Sequence, residues 1–322
     1  MRVRGTRLHV EQTGAGEPML FITGFAISAA VYEPVLPLYA ARLRCVTFDN
    51  RGAGRSAPSL LPVSIPRLAA DAVGVLDALD IDSAHVYGLS MGGMVAQEMA
   101  LRFPDRVRGL VLAGTTAGGP RATLPLRELR ALGPQLWGPP TLARDRVLAA
   151  LLFSPGFRAG QPDRVRELLP YLGRHGGGAR GARSAAAHWW GTVYHDTWSR
   201  LPGLAAPTLV LHGGADGMAP LAAGRELARR IPDAELAVLD GCGHAALLER
   251  PEEAAGLVLD WLARRSPIAA GTRLAGLAAR TEPVTRALGL TTGALRTGRS
   301  AAAVAASAAR GRPLSGRRPP RP

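Results

Sequence analysis

Ser90 stands between Gly88 and Gly92 in the run His85-Val86-Tyr87-Gly88-Leu89-Ser90-Met91-Gly92-Gly93, after apolar residues and before a helix-compatible stretch. Gly-x-Ser-x-Gly is the spacing a sharp strand-to-helix turn needs to lift a serine hydroxyl above a sheet edge. Glycine at 88 and 92 removes the Cβ atoms that would crowd such a turn. In a chain with 39 glycines the pentapeptide alone is a weak signal. It gains weight from two downstream residues. Asp216 closes the loop His212-Gly213-Gly214-Ala215-Asp216, and His244 closes Gly241-Cys242-Gly243-His244. Ser90, Asp216 and His244 follow one another as nucleophile, acid and base. A serine hydroxyl attacks a carbonyl only when a base removes its proton during attack. Imidazole, with an ordinary pKa near 6.5, takes that proton and later returns it to the leaving group. A carboxylate fixes the imidazole tautomer and stabilises its protonated form.

Charge developing on the substrate oxygen needs donors. Met91 N–H, at the start of the helix after the turn, is one candidate. Phe25 N–H, in the loop Thr23-Gly24-Phe25, is the other, with Gly24 giving the backbone room to approach. Asp49-Asn50-Arg51-Gly52-Ala53-Gly54-Arg55-Ser56 lacks the G-x-G-x-x-G dinucleotide fingerprint and is expected to be a structural loop beside the site. Asp240, four residues before the base, ranks below Asp216 as the acid. His175, His188 and His195 form no spaced metal motif. His188, Trp189 and Trp190, together with Trp137, are candidates to line a substrate pocket, although packing accounts for the tryptophans equally well.

These groups need strand ends and loops to hold them. Apolar runs at 18–22, 43–48, 84–87, 109–113, 208–211 and 235–239 read as strands alternating with helices, among them 66–79, 91–103 and 251–263. Such βα alternation with short buried runs predicts an α/β fold, a mostly parallel sheet with helices on both faces. Reactive groups then collect beyond the C-terminal strand ends, where Gly24, Asp49, Ser90, Gly114, Asp216 and His244 all fall. The alternation breaks across 116–206, a Leu-, Arg-, Gly- and Pro-rich stretch with four of the five tryptophans. The expected organisation is therefore a core in two parts, 1–115 and 207–265, an inserted helical cap at 116–206, and an Arg-, Ala- and Pro-rich tail at 266–322, expected to be largely disordered.

Composition sets outer limits. Hydrophobic residues make up 47% and charged residues 20%, as in an ordinary globular protein. No apolar run approaches the roughly 18 residues of a membrane span, and the N-terminus lacks a signal-peptide core, so a cytoplasmic location is expected. Cys45 and Cys242 are read as free thiols, and neither a metal nor an organic cofactor is expected. The formal charge of +14 comes entirely from arginine, since the chain has no lysine. Residues 263–322 carry a net +11, leaving +3 on the other 262. Contact of this basic tail with nucleic acid or an anionic membrane is the lesser reading; a solvated extension is preferred.

On these motifs, the chain over about 5–264 resembles the α/β-hydrolase superfamily. Within it, the likeness is to the capped group of 3-oxoadipate enol-lactonases, carboxylesterases, cofactor-free haloperoxidases and proline iminopeptidases. The family usually carries His-Gly in the oxyanion loop, where this chain has Thr23-Gly24. Ser90 stands where dehalogenases and epoxide hydrolases of this fold have Asp, which disfavours those two chemistries. The resemblance implies a sheet of about eight strands, a mobile helical cap, and a serine hydrolase cleaving a small ester or lactone through an acyl-enzyme. Aminopeptidase activity of the proline-iminopeptidase type and haloperoxidase activity are alternatives. A non-catalytic binding module recruited by its basic tail is a third.

Overall fold

Residues 1–59, 62–119, 142–173 and 178–265 are described by a computed structural model. Nine strands lie among them: β1 (Arg2–Val3), β2 (Thr6–Arg7), β3 (Val10–Thr13), β4 (Glu17–Ile22), β5 (Leu43–Phe48), β6 (Ala84–Leu89), β7 (Val107–Ala113), β8 (Thr208–Gly213) and β9 (Ala234–Leu239). The last seven form one sheet in the order β3-β5-β4-β6-β7-β8-β9. β3 runs antiparallel to β5, pairing Val10 with Phe48, and every other pairing is parallel. Among the described residues the main sheet has seven strands, in keeping with the mostly parallel sheet expected. β1 and β2 fold back on each other as a separate hairpin, closed by Arg4 and Gly5 at φ 45° and 79°. Two successive positive φ values match the twist that a two-residue hairpin turn needs.

The order of connection reverses at β4, which has β5 on one side and β6 on the other. Such a switch point opens a crevice beyond the strand C-termini, because the following loops leave in opposite directions. Register places Ile22, at the end of β4, beside Gly88. The loop after β4 and the turn holding Ser90 are therefore neighbours.

Alternation along β4 divides the core. Leu20 and Ile22 face one layer, Met19 and Phe21 the other, and all four are fully buried. The first layer packs α2 (Ile65–Asp77) and α3 (Met91–Arg102) through Leu68, Val75, Val95 and Met99. Ser64 caps α2 by accepting the Arg67 N–H, and Pro66 occupies its first turn, where a missing N–H costs nothing. On the opposite face α1 (Leu36–Ala40) brings Tyr39, and Trp261 and Val258 project from the long helix over Pro251–Arg265. Phe21 touches the rings of Tyr32, Tyr39 and Tyr87. Full burial of Phe21 contributes about 1.5–3 kcal/mol.

Between β7 and β8 the described residues form α4 (Leu142–Leu152), α5 (Pro155–Gly160), α6 (Pro162–Gly173) and α7 (Gly178–Val193). After β8 come α8 (Leu221–Arg230), the short α9 (Ala246–Glu249) and α10 (Pro251–Arg265). Trp137, His175 and the tail 266–322 lie outside the described residues. Among those described, no helix is long and apolar enough to cross a membrane.

Candidate active site

β6 delivers Ser90 at its C-terminal end, and α3 begins at the next residue. Ser90 adopts φ 56°, ψ −121°, a conformation that L-residues rarely hold. Strain of this kind costs about 1–3 kcal/mol and persists only where its surroundings enforce it. They do so here. A Cβ on Gly88 would strike Gly92 O and lie 2.6 Å from Gly93 Cα, and one on Gly92 would strike the carbonyl of Ile22. Ser90 N–H donates to Ala113 O at 2.8 Å, and Thr115 Oγ1 donates to Ser90 O at 2.7 Å.

Asp216 follows β8, and His244 follows β9 in the loop before α9. His244 Nδ1–H donates to Asp216 Oδ2 at 2.9 Å. Asp216 Oδ1 accepts the N–H groups of Met218 at 2.8 Å and Ala219 at 2.9 Å. Burial opposes ionisation of this carboxyl, but His244 and the amide donors outweigh it and hold its pKa below the ordinary value. Burial likewise pushes His244 down, yet Asp216 carries its pKa above the ordinary imidazole value. Asp240 is exposed, and it is Asp216 that holds the imidazole.

Two further residues brace this pair. His212, wholly buried in β8, lies with Nε2 2.7 Å from Ala219 O and 3.7 Å from Asp216 Oδ2, backing the segment that supplies the amide donors. Glu249, in α9, accepts Ser154 N–H at 2.6 Å and Gly243 N–H at 2.9 Å on one oxygen, and Ser154 Oγ–H at 2.8 Å on the other. Ala245 N–H donates to Leu152 O at 2.8 Å. Both neighbours of His244 are thereby tied, directly or through Glu249, to the end of α4 and the residues beyond it. Sequence reasoning missed Glu249 and His212. The only signal was a lone acidic residue in the apolar Ala246-Leu247-Leu248-Glu249, and a histidine ending an apolar strand.

The loop after β4 reaches Ser90, since a Cβ on Gly24 would lie 3.3 Å from Ser90 Cβ. Asn50 Nδ2 donates to Thr23 O at 3.2 Å and to Thr23 Oγ1 at 3.1 Å. Asp49 accepts Ala29 N–H and Arg55 N–H, each at 2.7 Å, so the segment 49–56 makes local hydrogen bonds. Met91 opens α3, where first-turn N–H groups lack an intrahelical acceptor.

Ser90 and His244 border one cavity of about 100 Å³ with Phe25. Its walls are chiefly aliphatic, with Ile27 and Val31 from the core and Leu148, Leu152 and Leu172 from α4 and α6. Arg144 contributes the guanidinium-bearing side chain among the described lining residues. The pocket candidates His188, Trp189 and Trp190 are not among these lining residues. Successive helical residues point about 100° apart, so α7 sends these three in different directions. His188 is fully buried, with Nδ1 accepting Ala26 N–H at 3.2 Å and Nε2 lying 2.8 Å from Arg51 O. Trp190 is half exposed, stacks on Tyr194 with ring centroids 5.0 Å apart, and borders a separate cavity of about 410 Å³ with Glu98 and Arg200. Trp189 is partly buried and borders neither cavity.

Among the described residues no group of three or more His, Cys, Asp or Glu could hold a metal ion. Both cysteines are free and buried. Burial pushes the Cys45 thiol up to about 12; burial and Glu249 push Cys242 up to about 11, so neither is a thiolate nucleophile at neutral pH.

Residues 19–257 match the model of the alpha/beta hydrolase family. The chain is an α/β hydrolase. This α/β hydrolase is 31% identical over 250 residues to a putative carbamate hydrolase, RutD, of Azorhizobium caulinodans, covering 76% of this chain and 91% of that protein. It is 33% identical over 265 residues to a 2-hydroxy-6-oxononadienedioate/2-hydroxy-6-oxononatrienedioate hydrolase of Paraburkholderia xenovorans, covering 80% and 91%. Among solved structures, a thermophilic esterase of Thermogutta terrifontis with malate bound superposes on the α/β hydrolase with a TM-score of 0.70. That pair is 26% identical, over 81% of this chain and 94% of the esterase.

Proposed function

We propose that this α/β hydrolase cleaves a small carboxylic ester or lactone through an acyl-enzyme on Ser90. The observation that carries the reading is the strained Ser90, sharing one apolar cavity with a His244 whose Nδ1–H is held by buried Asp216 at 2.9 Å. The relatives named as hydrolases and the solved esterase support hydrolytic chemistry on this scaffold.

Ser90 Oγ attacks the carbonyl carbon while His244 Nε2 takes the hydroxyl proton. Negative charge moves to the carbonyl oxygen, which Met91 N–H and Phe25 N–H stabilise. The carbon–oxygen bond to the leaving group breaks as His244 returns its proton to the departing alkoxide. Water then repeats the sequence on the acyl-serine, releasing the carboxylic acid and restoring Ser90. The inserted helices α4 to α7 act as the cap of this site, with α4 and α6 shaping the acyl pocket, and no step calls for a metal or organic cofactor.

Rapid-mixing kinetics with p-nitrophenyl butyrate test this. A burst of about one p-nitrophenolate per enzyme, with a butyryl group on Ser90 after an acid quench, is expected when deacylation limits turnover. Turnover that survives Ser90→Ala unchanged contradicts the proposal.

A further inference from the structure

We infer that His188, carried into the core by α7, is the positioning residue for the oxyanion loop. Ala26 directly follows Phe25 and is buried at φ 55°, a left-handed conformation with no glycine to relieve it. A non-glycine residue stays there only when its surroundings over-determine it. Asn50 holds the loop at Thr23 and Asp49 accepts the N–H of Ala29. Between these two anchors, Ala26 N–H donates to His188 Nδ1 at 3.2 Å. The acceptor comes from 162 residues further along the chain.

His188 is suited to this work. Its Nε2 lies 2.8 Å from the carbonyl of Arg51, which accepts but cannot donate, so the ring proton sits on Nε2 and Nδ1 offers a lone pair. Burial keeps the imidazole neutral by lowering its pKa, against the pull of the Arg51 carbonyl. The Phe25 ring meets the imidazole edge-on, with centroids 6.3 Å apart. One side chain thus joins the oxyanion loop to the segment 49–56 and to the insertion. Withdrawing it leaves Ala26 N–H buried without its acceptor and frees the strained loop to relax, displacing Phe25 N–H from the carbonyl oxygen. Misplacement of a reacting partner by about 1 Å costs up to about a hundredfold in rate.

The inference rests on the Ser90 ester-hydrolase reading, and its test separates the two. His188→Asn places an amide oxygen near the Nδ1 position, His188→Gln places its amide near Nε2, and His188→Ala supplies neither. Each full-length variant is compared with wild type for kcat and KM on p-nitrophenyl butyrate, melting temperature, and amide hydrogen exchange across residues 24–27. Loss of the clamp predicts that His188→Ala and His188→Gln lose about ten- to a hundredfold in kcat with KM little changed. Exchange at 24–27 rises in both. His188→Asn recovers most of the rate and the protection, whatever its melting temperature. A kcat that simply follows melting temperature, with Asn and Gln alike, overturns the assignment, as does unchanged exchange at 24–27 in His188→Ala. Imidazole nitrogen NMR of wild type needs no variant, and a proton on Nδ1 of His188 also overturns it. Failure of wild type to turn over any ester defeats the Ser90 reading and with it the catalytic role, while the exchange and NMR results still decide whether the clamp exists.

Discussion

Asp216 accepts the Nδ1–H of His244 at 2.9 Å with one oxygen, while the other takes two backbone amides of its own loop. The arrangement fixes which imidazole nitrogen faces the cavity and keeps the carboxylate from rotating away. Burial disfavours the imidazolium, but Asp216 favours it more, leaving the pKa of His244 above 6.5. In the proposed mechanism neutral imidazole is the form that takes a proton from Ser90. The rate kcat/KM therefore falls as pH drops through a value above 6.5. In Asp216→Asn this limb moves to lower pH and kcat falls by about 10⁴-fold, because the imidazole loses both its charge partner and its tautomer. A pH–rate profile of the two proteins checks both shifts.

Glu249 braces the loop that carries His244. Glu249→Ala strands the N–H groups of Ser154 and Gly243, each costing about 1–3 kcal/mol when buried without a partner. Both melting temperature and kcat fall. Glu249→Gln keeps one oxygen acceptor and loses less of each. Calorimetry alongside steady-state kinetics distinguishes this from a surface role, in which neither variant would matter.

The aliphatic lining sets a preference. Each additional methylene buried against Ile27, Leu148 and Leu172 contributes about 0.8 kcal/mol, roughly fourfold in rate. p-Nitrophenyl butyrate should exceed the acetate in kcat/KM by about tenfold or more on that scale. Leu148→Trp fills the space and abolishes the preference while sparing acetate. Equal loss on both esters would place Leu148 outside the acyl pocket.

Space around two glycines gives a contrast in stability. Gly92→Ala drives a methyl into the Ile22 carbonyl and destabilises the fold by about 1–3 kcal/mol or more. Gly256→Ala, within α10, meets nothing within 4 Å and should stabilise by about 0.5–1 kcal/mol. Denaturant unfolding of both variants measures the difference.

Much of this site was legible in the chain because its chemistry constrains residue type and order. Ser90 lies between small neighbours, and Asp216 and His244 lie on loops after strands, so their types and order along the chain marked them as candidates. The strands β4 to β9 announced themselves as buried apolar runs. The hairpin of Arg2–Val3 and Thr6–Arg7 did not, since two-residue strands carry no periodicity and arginines dominate their surroundings. His188 and Trp190 looked like partners in one pocket through sequence proximity, but the turn of α7 sends one inward and the other to solvent. Glu249, His212 and the Leu148 wall act through contacts between distant segments, and no local pattern marks such contacts.

The proposed chemistry stands on Ser90 as an activated nucleophile. Intact-protein mass spectrometry after exposure to a fluorophosphonate ester tests it most directly, on wild type, Ser90→Ala and His244→Ala. One phosphonyl adduct per wild-type chain is expected, none on Ser90→Ala, and labelling slowed by orders of magnitude in His244→Ala. A folded wild type that stays unlabelled, or an adduct that persists in Ser90→Ala, would contradict it.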